Sequence, residues 1–289
     1  MNNKWIWVDS KEKAKKAKAH IKTLSLIGID TEYDSFRYFR EKLCLIQIST
    51  GTVTYLFDPL DKIDITFLGD VFVDPKVLKI IHACDNDIRF LNRDYGFKFN
   101  NIFDTHRAAS ILGSTSLSLT SVIREYLGVE LKKSKSIQRS LWDKRPLTDE
   151  QITYAVYDAN SLIDLYSTLK KELVRHCLEE KAQGSFDKLL AARWTEKILN
   201  PDGYMKVKGC ESLNVFQRVR LKALFRWRFE KAKKTNRARF LILSDKNLID
   251  LSKISSIAQG SIGETGILSP QKVRDYGKEI TEILSDYTS

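Results

Sequence analysis

The sequence lacks cysteines at metal-binding spacing. Cys44, Cys84, Cys177 and Cys210 stand far from one another, which leaves no zinc signature. Cys44 and Cys84 lie in apolar, strand-like contexts and read as small core residues. A reducing, cytoplasmic compartment is the expectation. Membrane-length apolar runs are missing as well: nothing approaches about 18 uninterrupted apolar residues. The opening MNNKWIWVDS has neither an apolar signal core nor a cleavage site, so no leader is expected. Acid is in short supply. Across 289 residues, 37 Asp and Glu face 48 Lys and Arg, a net charge of +11. Such an excess points to an anionic partner, nucleic acid first. The shortage is sharpest over residues 214–240, where ten Lys or Arg meet one acid, Glu230.

Where acids do occur, they fall in a pattern. In GIDTEYDSF, residues 28–36, Leu24 to Ile29 read as a buried strand. Asp30 and Glu32 follow two apart at its end, so both carboxylates face one side of a sheet. In KIIHACDNDIRFL, residues 79–91, a strand breaks at His82 and enters a helix carrying Asp87. In DEQITYAVYDAN, residues 149–160, Tyr154 and Asp158 stand one turn apart on one helix face. Each has an ordinary reading alone: strand-end charges, a first-turn acid, a core aromatic. If the faces converge, four carboxylates share a cleft, and like charges that close repel unless cations compensate. Oxygen-only ligation favours Mg²⁺ or Mn²⁺ over zinc.

With 43% hydrophobic residues the chain can bury a normal core. Strands are expected at 5–8, 24–29, 43–49 and 53–57, the last three as an antiparallel meander, and near 77–82 and 102–103. Ser10 should cap a first helix running to Lys22, Asp104 a helix running to Leu112, and Asp85 the helix that carries Asp87. Helices are also expected over 117–128 and about 148–175. This is an α/β domain with a mixed sheet. Residues 184–209, with Asn200-Pro201-Asp202-Gly203, read as a connector. Beyond about 213 the pattern turns all-helical. In residues 216–236 the apolar positions Phe216, Val219, Ala223, Trp227 and Ala232 recur near helical spacing.

Asp30, Glu32, Asp87, Tyr154 and Asp158, in this order and context, resemble the DEDD superfamily of 3′→5′ exonucleases, in its tyrosine-containing branch. The string KSKSIQRSLWDKRPLTDEQITYAVYDA, residues 133–159, looks like ribonuclease D and its eukaryotic relatives. Trp227-Arg228, the ILSD turn with Asp245 and the closing VRDYG are similar to an HRDC domain, and the length leaves room for one copy. The resemblance implies a ribonuclease-H-like exonuclease domain over 1–183, the connector over 184–209, and a small all-α HRDC bundle over 210–289.

It further implies a metal-dependent 3′→5′ exoribonuclease that trims RNA 3′ ends, tRNA precursors foremost, and releases 5′-mononucleotides. Asp30, Glu32, Asp87 and Asp158 would hold two divalent ions, and Tyr154 would orient the attacking water. Substrate contacts are expected from His82, which also has a structural reading, and from the loop 132–145 with Lys132, Lys133, Lys135, Gln138, Arg139, Lys144 and Arg145. Arg226 and Arg228, interleaved with Phe225, Trp227 and Phe229, are expected on a phosphate-binding face. No membrane and no obligate protein partner are expected. A DNA exonuclease and a non-catalytic RNA-binding module are the competing readings. The intact acidic set argues against the second, and the directly attached HRDC domain against the first.

Overall fold

The structure, a computed structural model, describes residues 4–61, 63–130, 135–254 and 261–287. The chain divides into two compact units, Met1–Asp34 with Lys42–Thr195, and Ser35–Glu41 with Glu196–Ser289. In order, the first unit holds β1 (Trp5–Val8), α1 (Lys11–Ile21), β2 (Leu26–Asp34), β3 (Lys42–Ser49), β4 (Thr54–Phe57), α2 (Phe67–Val73) and β5 (Leu78–Ile81). It continues with α3 (Asp85–Tyr95), β6 (Ile102–Asp104), α4 (Thr105–Ile111), α5 (Leu119–Leu127), α6 (Lys135–Gln138), α7 (Asp149–Arg175) and α8 (Glu179–Leu190). The stretch expected as a connector is shared out: α8 ends the first unit's helices, and the boundary falls after Thr195.

The sheet runs β1-β4-β3-β2-β5-β6. β2, β3 and β4 pair antiparallel, while β1 joins β4, β5 joins β2, and β6 joins β5 in parallel. The period-2 alternation of strands sorts the side chains. Ile27, Ile29, Ile46, Ile48, Tyr55 and Phe57 enter the main core on one face. Gly28, Asp30 and Glu32 take the other, which α7 covers: Leu45 and Leu56 pack with Ala155 and Val156, and Ser49 donates to Asn160 at 2.8 Å. β2 runs on to Asp34, so Asp30 and Glu32 lie inside the strand, opposite Gln47 and Leu45, and not at its end. The continuing ladder with β3 is the reason.

Helix starts follow their caps. Ser10 accepts from the Lys13 amide, and Thr148 with Gln151 closes a capping box on α7. Asp85 is not the cap of α3. Cys84 holds that position, and Asp85 instead accepts from Arg107 at 3.1 Å.

The second unit is helical among its described residues: α9 (Val215–Thr235), α10 (Arg239–Ile242), α11 (Asp245–Ser252) and α12 (Pro270–Ser285). The segment between β2 and β3 belongs to it, with Phe39 buried edge-on against Phe229 and the Arg37 carbonyl accepting from the Ala238 amide. The face of α9 that packs differs from the expected one. Leu221, Leu224, Phe225, Phe229 and Ala232 are buried, whereas Phe216 and Val219 are exposed. Apolar residues occur all round this helix, and the neighbouring helices select which side is covered. No helix of the described residues is long and apolar enough to cross a membrane.

Candidate active site

Three elements bring the expected residues together. β2 presents Asp30 and Glu32 toward α7. α7 can lie close because residue 28 is glycine: a Cβ there would stand 2.8 Å from the Ala159 carbonyl oxygen, the residue after Asp158. α3 delivers Asp87, whose carboxylate accepts a short hydrogen bond from the Thr31 hydroxyl. The turn that launches α3 is pinned from β6. Asp104, fully buried, accepts from the amides of Ala83 and Cys84 at 3.3 and 2.9 Å and caps α4 through Arg107 N at 2.9 Å. Ala83 sits at φ 55, left-handed backbone that a residue with a Cβ adopts at a cost, and the Asp104 bonds hold it there.

The carboxyls feel one another. Asp30 is pushed well above the usual carboxylate range, first by burial and then by the charges of Asp158 and Asp87. Glu32 is raised likewise, by burial and by Asp30, Asp158 and Asp87. Burial lifts Asp158 to about 7 against a hydrogen bond from the Tyr154 hydroxyl, and lifts Asp87 to about 6 against the one from Thr31. The Tyr154 phenol is pushed up by burial and by Asp158, Glu32 and Asp30, so it stays neutral and donates. Glu32 and Asp158 are buried by surface, while Asp30 and Asp87 keep partial access to solvent. Among the described residues, no three His, Cys, Asp or Glu side chains are gathered into a closed ligand set. The group is four separate oxygen donors under mutual repulsion. That donor chemistry fits a hard divalent cation, which would relieve the repulsion.

Several expected substrate contacts turn out to be structural. His82 donates Nε2–H to the Leu117 carbonyl at 3.0 Å and accepts at Nδ1 from the Thr105 hydroxyl at 2.9 Å. Burial lowers it to about 4, and a neutral ring with both nitrogens engaged has nothing left for substrate. Arg145 is also committed. Its guanidinium pairs with buried Asp58 and donates to the carbonyls of Cys44, Trp142 and Lys144 at 2.6, 2.7 and 2.8 Å. It ties the turn before α7 to β3, and so helps place Tyr154 and Asp158. Arg228 is buried at 4% exposure and donates to Asp245 and the Leu243 carbonyl at 2.7 and 2.9 Å, joining the WR pair to the ILSD turn. These arginines read as phosphate ligands because the sequence displays their charge and hides the carbonyls that absorb it. Arg226 and Gln138 are exposed. Lys132, Lys133 and the side chain of Lys135 lie outside the described residues.

Known proteins with the same features identify the two parts. A family described as 3′-5′ exonuclease matches residues 5–174, and the HRDC domain matches residues 217–284. The Exosome complex component 10 homolog of Drosophila melanogaster is 32% identical over 85% of this chain and 28% of its own length. Ribonuclease D of Desulfotalea psychrophila is 30% identical over 90% of this chain and 69% of its own length. The chain thus spans little more than a quarter of the exosome relative. The crystal structure of Escherichia coli RNase D, described as an exoribonuclease involved in structured RNA processing, superposes with a TM-score of 0.70. It covers 99% of this chain and 75% of that one at 25% identity.

Proposed function

We propose, since the chain belongs to the 3′-5′ exonuclease family that includes ribonuclease D, that it is a divalent-metal-dependent 3′→5′ exoribonuclease releasing 5′-mononucleotides from RNA 3′ ends. The observation that supports this reading is the convergence of charge on β2: Asp158 and Asp87 raise Asp30, and Asp30, Asp158 and Asp87 raise Glu32, while the Tyr154 hydroxyl donates to Asp158. Asp30, Glu32, Asp87 and Asp158 would hold two ions, Mg²⁺ or Mn²⁺. Bound ions would supply a nucleophilic water at neutral pH and shield the scissile phosphate.

The chain's own residues do the positioning. Asp158 accepts from Tyr154, which fixes the phenol over the cluster. A neutral phenol is a poor base at pH 7 and a good hydrogen-bond partner, so Tyr154 orients the attacking water without taking its proton. The Thr31 hydroxyl fixes Asp87, leaving its second oxygen for an ion or an ion's water.

Structured RNA with a single-stranded 3′ end, tRNA precursors included, is the proposed substrate. The net charge of +11 supports a polyanion, and DNA, the alternative substrate, lacks the 2′-hydroxyl by which a protein tells RNA from DNA. Incubating 3′-extended RNA and DNA of one sequence with the protein and Mg²⁺, and sizing the products, tests it. Stepwise shortening of the RNA ahead of the DNA is expected. Faster loss of the DNA would replace this reading with a DNA exonuclease.

A further inference from the structure

Gln47 is fully buried, and among the described residues neither its side-chain oxygen nor its nitrogen meets a hydrogen-bond partner. Folds avoid leaving an amide in that condition, because its lost hydration is not repaid, unless a working state supplies the partner. The place of Gln47 in the sheet says what that partner is. In β3 it stands directly across from Asp30, with Leu56 of β4 on its other side. Directly opposed residues of an antiparallel pair share a face, their Cβ atoms roughly 5 Å apart, within reach of a glutamine amide. Beside them Leu45 and Leu56 pack with Ala155 and Val156, and Glu32 stands on the same face opposite Leu45. Ser49 and Thr54, the polar residues further along, both direct their hydroxyls to Asn160. Asp30 is the polar group that Gln47 faces across the ladder.

We propose that Gln47 is a positioning residue for Asp30, its amide N–H₂ turning onto the Asp30 carboxylate when that group ligates a divalent cation. This rests on the metal-dependent reading of the site. One oxygen of Asp30 accepts from Gln47 and the other is left aimed at the ion. In this structure the amide has no hydrogen-bond partner among the described residues. Gln47 thereby carries a cost in the free protein that ion binding removes, and this difference adds to the affinity for the ion.

The test is thermal unfolding of the full chain in EDTA and across a Mg²⁺ titration, for the parent protein, Gln47→Met and Gln47→Leu. Both replacements remove the polar atoms and keep an apolar side chain of similar volume. In EDTA the variants should melt at the parent's temperature or up to about 5 °C above it, since an unpaired amide is gone. The Mg²⁺ concentration at half-maximal shift should rise roughly 10- to 100-fold, as for loss of a group that orients a metal ligand. Variants that melt well below the parent in EDTA, or that keep the parent's Mg²⁺ midpoint, overturn the role of Gln47 and leave the metal site standing. A parent protein with no Mg²⁺ shift at all overturns both readings together.

Discussion

Gly28 of β2 and the carbonyl of Ala159 in α7 approach so closely that a single methyl on residue 28 would lie 2.8 Å from the oxygen. This contact sets the distance between the sheet that carries Asp30 and the helix that carries Asp158. Gly28→Ala must therefore push α7 outward. A displacement near 1 Å at the chemistry can cost about 10²-fold in rate. The expected result is a folded protein with a lower melting temperature and a turnover reduced by that order. Unchanged turnover in a folded variant would show that the helix position is not what sets the site.

Tyr154→Phe keeps the ring, which lies 6.1 Å from Trp142, and removes the hydroxyl that donates to Asp158. Turnover should fall about 10- to 10³-fold, with RNA affinity changed much less. An unchanged rate would assign Tyr154 to packing alone.

The cluster makes stability in EDTA depend on pH. Asp158 rises to about 7 and Asp87 to about 6, each from an ordinary 3.8, so their stabilising contribution is complete below about 4 and is lost as pH climbs through 6 and 7. Asp30 and Glu32, raised as well, act in the same direction. His82 opposes them below its ordinary 6.5, because its folded value is lowered to about 4. From pH 6.5 to about 8 the carboxyls act alone, and the melting temperature in EDTA should fall. Saturating Mg²⁺ should reduce that fall, so the Mg²⁺-induced shift grows with pH. A shift independent of pH over this window would contradict the shared burial of the four groups.

Arg145 offers a test that separates structure from substrate binding. Removing it leaves Asp58, 2% exposed, as a buried charge without its guanidinium partner. Arg145→Ala should cost about 3–5 kcal/mol of stability. The slope of RNA affinity against salt should stay as it is, since no phosphate contact is lost. A shallower slope would return Arg145 to the substrate path.

The acidic set was legible because strand and helix periodicities place those residues without knowledge of the partner. Asp30 and Glu32 share a face by alternation, and Tyr154 and Asp158 by one helical turn. Arg145, Arg228 and His82 were misplaced for the opposite reason: each bonds to backbone carbonyls distant in sequence, such as Cys44 and Leu117, and carbonyls leave no mark in a sequence. The packed face of α9 depended on neighbours that its own composition does not name. Gln47 left a faint sign, a lone amide inside the apolar run Leu43 to Ile48, but its meaning comes from register with Asp30.

Asp30→Asn tests the central claim most directly. The substitution keeps the shape and removes a charge that interacts with Glu32, Asp87 and Asp158. On 5′-labelled RNA with Mg²⁺, the parent protein should shorten the strand one nucleotide at a time from the 3′ end, and the variant should be slower by about 10³-fold or more, near 4 kcal/mol of transition-state stabilisation. In EDTA the variant should melt no lower than the parent, because one repelling carboxylate is gone. More than a tenth of the parent's rate in a folded Asp30→Asn protein would contradict the account.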